Sequence, residues 1–205
     1  GEAGASMPRT VCIVGLSPTS RDLVFTEPPG VEMWSVNTGH ECFNQEQLAR
    51  FTRWFQVHPR AEFEMANADR PEHLKWLKAC GIPVYMEERW EDIPTSVKFP
   101  RAEVIRIAGD YFTSSVAYMV GLAIYERFEE IRLYGVDMPS DSEYFHERPC
   151  LEFWLGVAVA NGIEIVTPAG CSLMKGRHYA ETVKITSSHV ETKRKLYQQM
   201  RDQKL

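Results

Sequence analysis

The sequence predicts an α/β domain in three layers, with a mostly parallel sheet covered by helices on both faces. Three observations lead there. Short apolar segments alternate with stretches of helical period, the pattern of strands joined by crossover helices. The first apolar segment ends in a glycine turn, Gly15-Leu16-Ser17-Pro18-Thr19. The stretch from Tyr111 to Met138 reads as a hydroxyl-capped helix feeding a buried strand, which delivers Asp137 at its carboxyl end. Ligands of open parallel sheets bind outside the carboxyl ends of the strands, so the glycine turn and Asp137 fall where a site is expected.

In chain order, the six residues before Met7 read as an expression remnant and are set aside. Strands are expected at Thr10 to Gly15, Val31 to Val36, Arg53 to Val57, Ile82 to Met86, Glu130 to Gly135 and Ile163 to Val166. The strand around Ile131 to Val136 is apolar on both alternating faces, as a central parallel strand is. Pro71 to Cys80 carries Leu74, Leu77 and Lys78 at helical spacing, with Gly81 as its stop. A second helix, Thr113 to Phe128, sets Val116, Val120, Ala123 and Ile124 on one face. A third covers Arg148 to Asn161 and ends at Gly162. The Pro-containing segment Glu88 to Pro100 reads as an excursion with a short strand, able to close as a lid. One domain is expected over residues 7–186. A polar, helix-prone tail at 187–205 is expected to pack on it or to mediate self-association.

At 205 residues the chain suffices for one well-packed domain and is short for two. A net charge of −5 argues against a protein that grips duplex DNA by neutralising phosphates, and the local run Lys193, Arg194, Lys195 reads as a solvated helix face. No apolar run reaches the length of a membrane span and no signal peptide is legible, so a cytoplasmic protein without membrane contact is expected. The five cysteines are scattered without a CxxC pair, which gives no zinc signal and reads as reduced thiols. The glycine turn is neither a GxGxxG fingerprint nor a Walker A loop, and GxSxG and HExxH are absent.

What chemistry remains gathers at strand ends. Gly15 lets the backbone approach a phosphate or ribose, with Ser17 as a hydrogen-bond donor beside it. Asn37 follows the second strand and His58 the third; each alone is easily a turn former or a satisfied core group, but with Gly15 and Asp137 they converge on one crevice. Thr113, Ser114 and Ser115 open the helix before Asp137, either as an ordinary N-cap or as a phosphate site at the positive end of the helix dipole. Beyond Asp137, Tyr144, His146, Glu147 and Arg148 crowd a short stretch. Tyrosine and arginine there suit phosphate, and histidine or glutamate suits proton transfer. Arg148 and Glu152 are also helical neighbours, which a plain surface pair would explain.

The motifs G-x-x-P-[ST] after strand one, Asn after strand two, T-S-[GS]-V before an alanine-bearing helix and E-I-x-L-x-G-[IV]-D with a following Tyr resemble the bacterial CMP-sialic acid-dependent sialyltransferases of glycosyltransferase family 42. They are also similar to the related domain of archaeal 6-hydroxymethyl-dihydropterin pyrophosphokinases. Over nearly its full length the chain resembles small proteins common in phage genomes, which would place it in host cytoplasm. The resemblance implies a Rossmann-like nucleotide-binding domain. Gly15, Ser17 and Asn37 would face phosphate or ribose, Ser114 and Ser115 would meet phosphate or donor sugar, Asp137 would contact the nucleotide, and Tyr144 would stabilise phosphate. The sialyltransferases carry a His-Ser pair after the last strand as general base, whereas this chain reads Gly170-Cys171-Ser172, leaving His58 and His146 as the candidate bases. Three functions follow as expectations. The first is glycosyl transfer from a nucleotide-activated donor to an acceptor, with no separate cofactor. The second is pyrophosphoryl transfer from ATP, with Mg²⁺ held by carboxylates such as Asp137 and Glu143. The third is a non-catalytic nucleotide or nucleic-acid binding module. Self-association through the C-terminal helix is the expected oligomeric contact.

Overall fold

The computed structural model describes residues 8–66, 68, 71–138, 145–175, 194, 195 and 198. Seven strands form one sheet: β1 Thr10–Val14, β2 Glu32–Val36, β3 Arg53–Gln56, β4 Val84–Met86, β5 Ser96–Lys98, β6 Glu130–Tyr134 and β7 Glu164–Val166. Their order is β5-β4-β3-β2-β1-β6-β7, and every adjacent pair is parallel. The chain lays down β1, walks outward to β5, then crosses back to set β6 on the other flank of β1. Where the direction of winding reverses, a crevice opens at the carboxyl ends of the two strands.

Side-chain alternation along the strands divides the interior into two cores. Val11 and Ile13 of β1, Trp34 and Val36 of β2, Phe55 of β3, and Ile131 and Leu133 of β6 face one side. There they meet helices α4 (Arg101–Ala108), α5 (Ser115–Tyr125) and α6 (Glu147–Ala160). Cys12, Val14, Met33, Trp54, Val84 and Met86 face the other side, against Phe63 of α2 (Arg60–Ala66), Leu77 of α3 (Glu72–Ala79), and Phe43 and Phe51 flanking the short α1 (Gln45–Leu48). A period of two in the strands thus yields three layers. The fold is Rossmann-like.

Helix α5 is the central crossover element. Ser114, in extended backbone, caps it by accepting a hydrogen bond from the Val116 amide at 3.2 Å. Its far end closes through a left-handed Arg127 (φ 60°), with Phe128 N bonded to Ala123 O and Arg127 N to Ile124 O. The expected single apolar face is too narrow. Residues Val116, Ala117 and Met119 through Ile124 are all buried, because α5 lies between the sheet and both α4 and α6. Helix α6 ends at Gly162 (φ 80°), whose amide bonds Val159 O.

The segment 88–100 does not form a lid. Ile93 and Phe99 are buried, Ser96 Oγ bridges the amide and carbonyl of Trp90 at 2.8 and 3.0 Å, and Ser96–Lys98 is the edge strand β5. Helices α2 and α4, not expected from the sequence, lie in the β3–β4 and β5–β6 connections. The chain divides into two compact units, Gly1–Met174 and Lys175–Leu205, and the fold above is that of the first. In the second unit Arg194, Lys195 and Gln198 are helical. The expected boundary near 187 lies outside the described residues. Among the described residues no helix is long and apolar enough to cross a membrane.

Candidate functional site

The site begins where the ends of β1 and β6 are stitched together. Gly15 N donates to Tyr134 O at 2.8 Å, Ser17 N to Gly135 O at 3.0 Å, and Gly135 N to the buried Ser20 Oγ at 2.9 Å. The backbones approach so closely that a Cβ on Gly15 would lie 2.4 Å from Gly135 O, while one on Gly135 would lie 2.8 Å from Gly15 O. Gly135 also adopts φ 63°, a left-handed conformation that side chains rarely take. Both strand ends can turn here only because neither residue has a side chain.

That turn sets the hydroxyls of the first loop against the aspartate. Ser17 Oγ donates to Asp137 Oδ2 at 2.5 Å, Thr19 Oγ1 donates to the same oxygen, and the two hydroxyls are 3.0 Å apart. The carboxylate is therefore fixed in rotation by residues 120 and 118 positions away in the chain. Asn37, just beyond β2, sits at φ 50°, a conformation asparagine tolerates, and its carbonyl accepts the Trp54 indole N–H at 2.9 Å. Its side-chain Oδ1 is buried without a hydrogen-bond partner. Leaving such an acceptor unmet costs about 1–3 kcal/mol, so this atom is poised for a donor from outside the fold.

These groups line one cavity of about 690 Å³. Its floor is Gly15 to Thr19 and Gly135 to Met138; Val36, Asn37 and His58 form one wall, and Thr113 to Val116 at the start of α5, with Glu147, form the other. The expected residues Gly15, Ser17, Asn37, His58, Thr113, Ser114, Ser115, Asp137 and Glu147 all line it. Thr113 also ties the α5 entry to the start of α6, with Oγ1 donating to His146 O at 2.8 Å. His58 Nε2 lies 3.3 Å from Ser115 Oγ. Among the described lining residues none is Lys or Arg, and the carboxylates are Asp137 and Glu147. Among the described residues no group of three His, Cys, Asp or Glu is placed to hold a metal ion.

Two expected residues lie elsewhere. His146 does not line the cavity: its exposed ring meets Phe145 edge-on, and it contributes to this region only the carbonyl that Thr113 bonds. Arg148 also turns away. Its guanidinium donates to Met138 O at 3.1 Å, Ser172 Oγ at 2.8 Å and Ser172 O at 2.7 Å, and pairs with Glu152 at 3.0 Å. Every one of those partners is a protein group, so the planar fork is occupied in holding the strand-end loop and the 172 turn. At 170–172, where the resemblance places a base, Cys171 is buried with Sγ on Val136 O at 3.5 Å, and Ser172 is held by Arg148. Tyr144 and Glu143 lie outside the described residues.

Thr19 was legible only as one of several hydroxyls in the turn; its bond to Asp137 depends on a pairing remote in sequence. Leu16, Pro18, Val36, Val116, Val136 and Met138 give the cavity an apolar lining, and each looks locally like ordinary strand or turn.

No family model matches the sequence, and no curated protein matches it. Among solved structures, the fold is shared with the Campylobacter jejuni sialyltransferase CstII in complex with CMP-3FNeuAc, at 14% identity over 90% of this chain and 97% of that one, with a TM-score of 0.50. The same enzyme in complex with cytidine-5'-monophosphate gives 15% identity over 91% and 98% of the two chains, with a TM-score of 0.49.

Proposed function

We propose that the protein is a nucleotide-binding transferase of glycosyltransferase type, which takes a group from a nucleotide-activated donor. One observation carries the reading. The cavity sits at the switch point of the sheet, with an oriented carboxylate, Asp137, facing the capped N-terminus of α5 and its serines. A helix N-terminus presents the positive end of its dipole to a phosphate. The second oxygen of the Asp137 carboxylate, whose Oδ2 holds Ser17 and Thr19, and the unmet Asn37 Oδ1 supply acceptors for hydroxyl or amino groups of a nucleoside.

Charge narrows the donor. Described lining residues with two carboxylates and no Lys or Arg favour a donor whose nucleotide carries a single phosphate over one carrying two or three. In the reaction, the positive end of the α5 dipole and the hydroxyls of Ser114 and Ser115 stabilise charge that grows on the phosphate as it departs. The apolar wall of Leu16, Val116 and Val136 excludes water from the breaking bond.

The test is calorimetry against CMP, UMP, AMP, UDP and ATP with Mg²⁺, on wild type and Asp137→Asn. A nucleoside monophosphate is expected to bind without metal, and the variant to bind it at least about tenfold more weakly, a loss of about 1.4 kcal/mol, with unchanged stability. Binding confined to ATP with Mg²⁺ would favour pyrophosphoryl transfer instead, and failure of every nucleotide to bind would reject the reading.

A further inference from the structure

We propose that His58 is the group that takes the proton from the incoming acceptor, and that Glu62, unassigned so far, is the positioning residue that prepares it. The inference rests on the transferase reading above and adds its missing base. Among the described lining residues His58 is the one imidazole. Its two ring nitrogens are addressed from different elements. Nε2 lies 3.3 Å from Ser115 Oγ at the first turn of α5, and Nδ1 lies 3.5 Å from Glu62 Oε1, one turn further along the chain in α2. A carboxylate beside Nδ1 favours the tautomer with the proton on that nitrogen, so that the Nε2 lone pair faces the cavity. The Ser115 hydroxyl, an uncharged donor, holds that lone pair and marks where an acceptor hydroxyl would bind.

The other described imidazoles are committed elsewhere. His40 and His73 are buried against each other and Gln56, with Nε2 of His40 2.9 Å from Nδ1 of His73 and Nε2 of His73 2.8 Å from Gln56 Oε1. His146 is outside the cavity. Position also suits His58 for turnover. Its side chain keeps 44% of its surface exposed, and that of Glu62 keeps 59%, so a proton collected at Nε2 has a route to solvent past Glu62 without crossing the apolar wall.

The step balances. The acceptor hydroxyl gives its proton to Nε2 as its oxygen forms a bond to the transferred carbon of the donor. The bond from that carbon to the phosphate oxygen breaks, and its electron pair leaves on the nucleotide. The resulting imidazolium is stabilised by the Glu62 carboxylate and returns its proton to water. Ser115, released from Nε2, donates to the departing phosphate.

Two measurements decide the matter. Nitrogen-15 NMR of the imidazole in wild type and Glu62→Gln reads the tautomer of His58 without any substrate. The expected result is an Nδ1–H tautomer in wild type and a larger Nε2–H fraction in the variant; the same tautomer populations in both would overturn the role of Glu62. Nucleotide release from a panel of CMP-, UDP- and GDP-activated sugars is then followed against pH. His58→Gln is expected to lose about 100-fold or more in kcat, with affinity for the free nucleotide changed less than about threefold. Glu62→Gln is expected to lower kcat by about tenfold, with affinity for the free nucleotide unchanged. Full release by His58→Gln in a protein that still binds nucleotide would overturn the relay and leave the transferase reading standing. Wild type that neither binds nor releases any nucleotide would overturn both.

Discussion

A methyl group on Gly15 would point into the carbonyl of Gly135 at 2.4 Å, and backbone on both sides leaves no flexible tip to move aside. Gly15→Ala is therefore expected to push the ends of β1 and β6 apart, at a cost of about 1–3 kcal/mol. Because Ser17 and Asp137 ride on those two ends, nucleotide binding should fall with it; urea unfolding and calorimetry on the same sample check both. Asn37 allows a cleaner separation. Glycine adopts φ 50° without strain, so Asn37→Gly keeps the turn and removes only the amide. Stability within about 1 kcal/mol of wild type, with nucleotide affinity reduced at least about fivefold, is the expected outcome. An unaltered affinity would mean that the buried Oδ1 faces nothing the ligand offers.

At the scale of elements, α6 and the β6 end are joined through Arg148. Its contact with Met138 O supports a residue held at φ 39°, strained for a side chain of that size, immediately after Asp137. A lysine cannot reproduce three donor bonds and an ion pair from one planar group. Arg148→Lys should therefore lower the unfolding free energy by about 1 kcal/mol or more, with nucleotide affinity falling only as far as Asp137 shifts. Glu152→Gln should cost less, since the Met174 amide that Glu152 accepts can still bond the amide oxygen. Differential scanning fluorimetry orders the two variants, and a larger loss in Glu152→Gln would contradict the clamp.

This clamp also explains what the sequence left illegible. Arginine beside acid, phenol and imidazole looks the same whether it grips a ligand or a neighbouring turn, and only the fold of 172–174 decides. The six strands expected from apolar runs are present within two residues at their ends, and the capped helix before Asp137 is legible because cap, apolar core and following strand all agree. Helices α2 and α4 were passed over because each is short. Helix α4 also carries β-branched Val104, Ile105 and Ile107, which weigh against helix when read alone. The short strand expected within 88–100 is β5, whose bounds the prolines around it obscure. Convergence of Gly15, Asn37, His58 and Asp137 was legible from their shared place at strand ends, whereas Glu62 was not, since its meaning depends on which nitrogen of His58 it faces.

For the molecule as a whole, acid is the expected weakness. Burial drives the His40 pKa down from 6.5 to about 4, its ring being stacked on Trp76 and hydrogen-bonded edge to edge with His73. A base whose folded pKa is depressed stays neutral in the native state while the unfolded chain takes up a proton. Stability is accordingly lost as pH falls from about 6.5 toward about 4, by on the order of 3 kcal/mol across the window. Glu27 adds a second loss further down. Burial alone would raise its pKa, but hydrogen bonds from Arg132 and Tyr134 outweigh this and hold it below 4.5, so its contribution is present above that value and disappears as pH falls through the folded pKa. Urea midpoints measured from pH 7 to pH 4 should fall steadily, and a flat profile would show that the buried histidine pair takes up a proton at no cost.

The pairing of β1 with β6 joins residues about 120 positions apart, with strands β2 to β5 and helices α1 to α5 between them in the chain. Closing so long a loop is slow, and it comes late in chain order. During synthesis β1 emerges first and must wait for β6, with one flank unpaired, until residue 134 has left the ribosome. Exposed strand edges of that kind invite pairing with other chains. Ligand would offer no rescue in that interval, because the loop carrying Ser17 and the aspartate it bonds come together only when the gap closes. Nucleotide should therefore slow unfolding of the finished protein while leaving its refolding rate nearly unchanged.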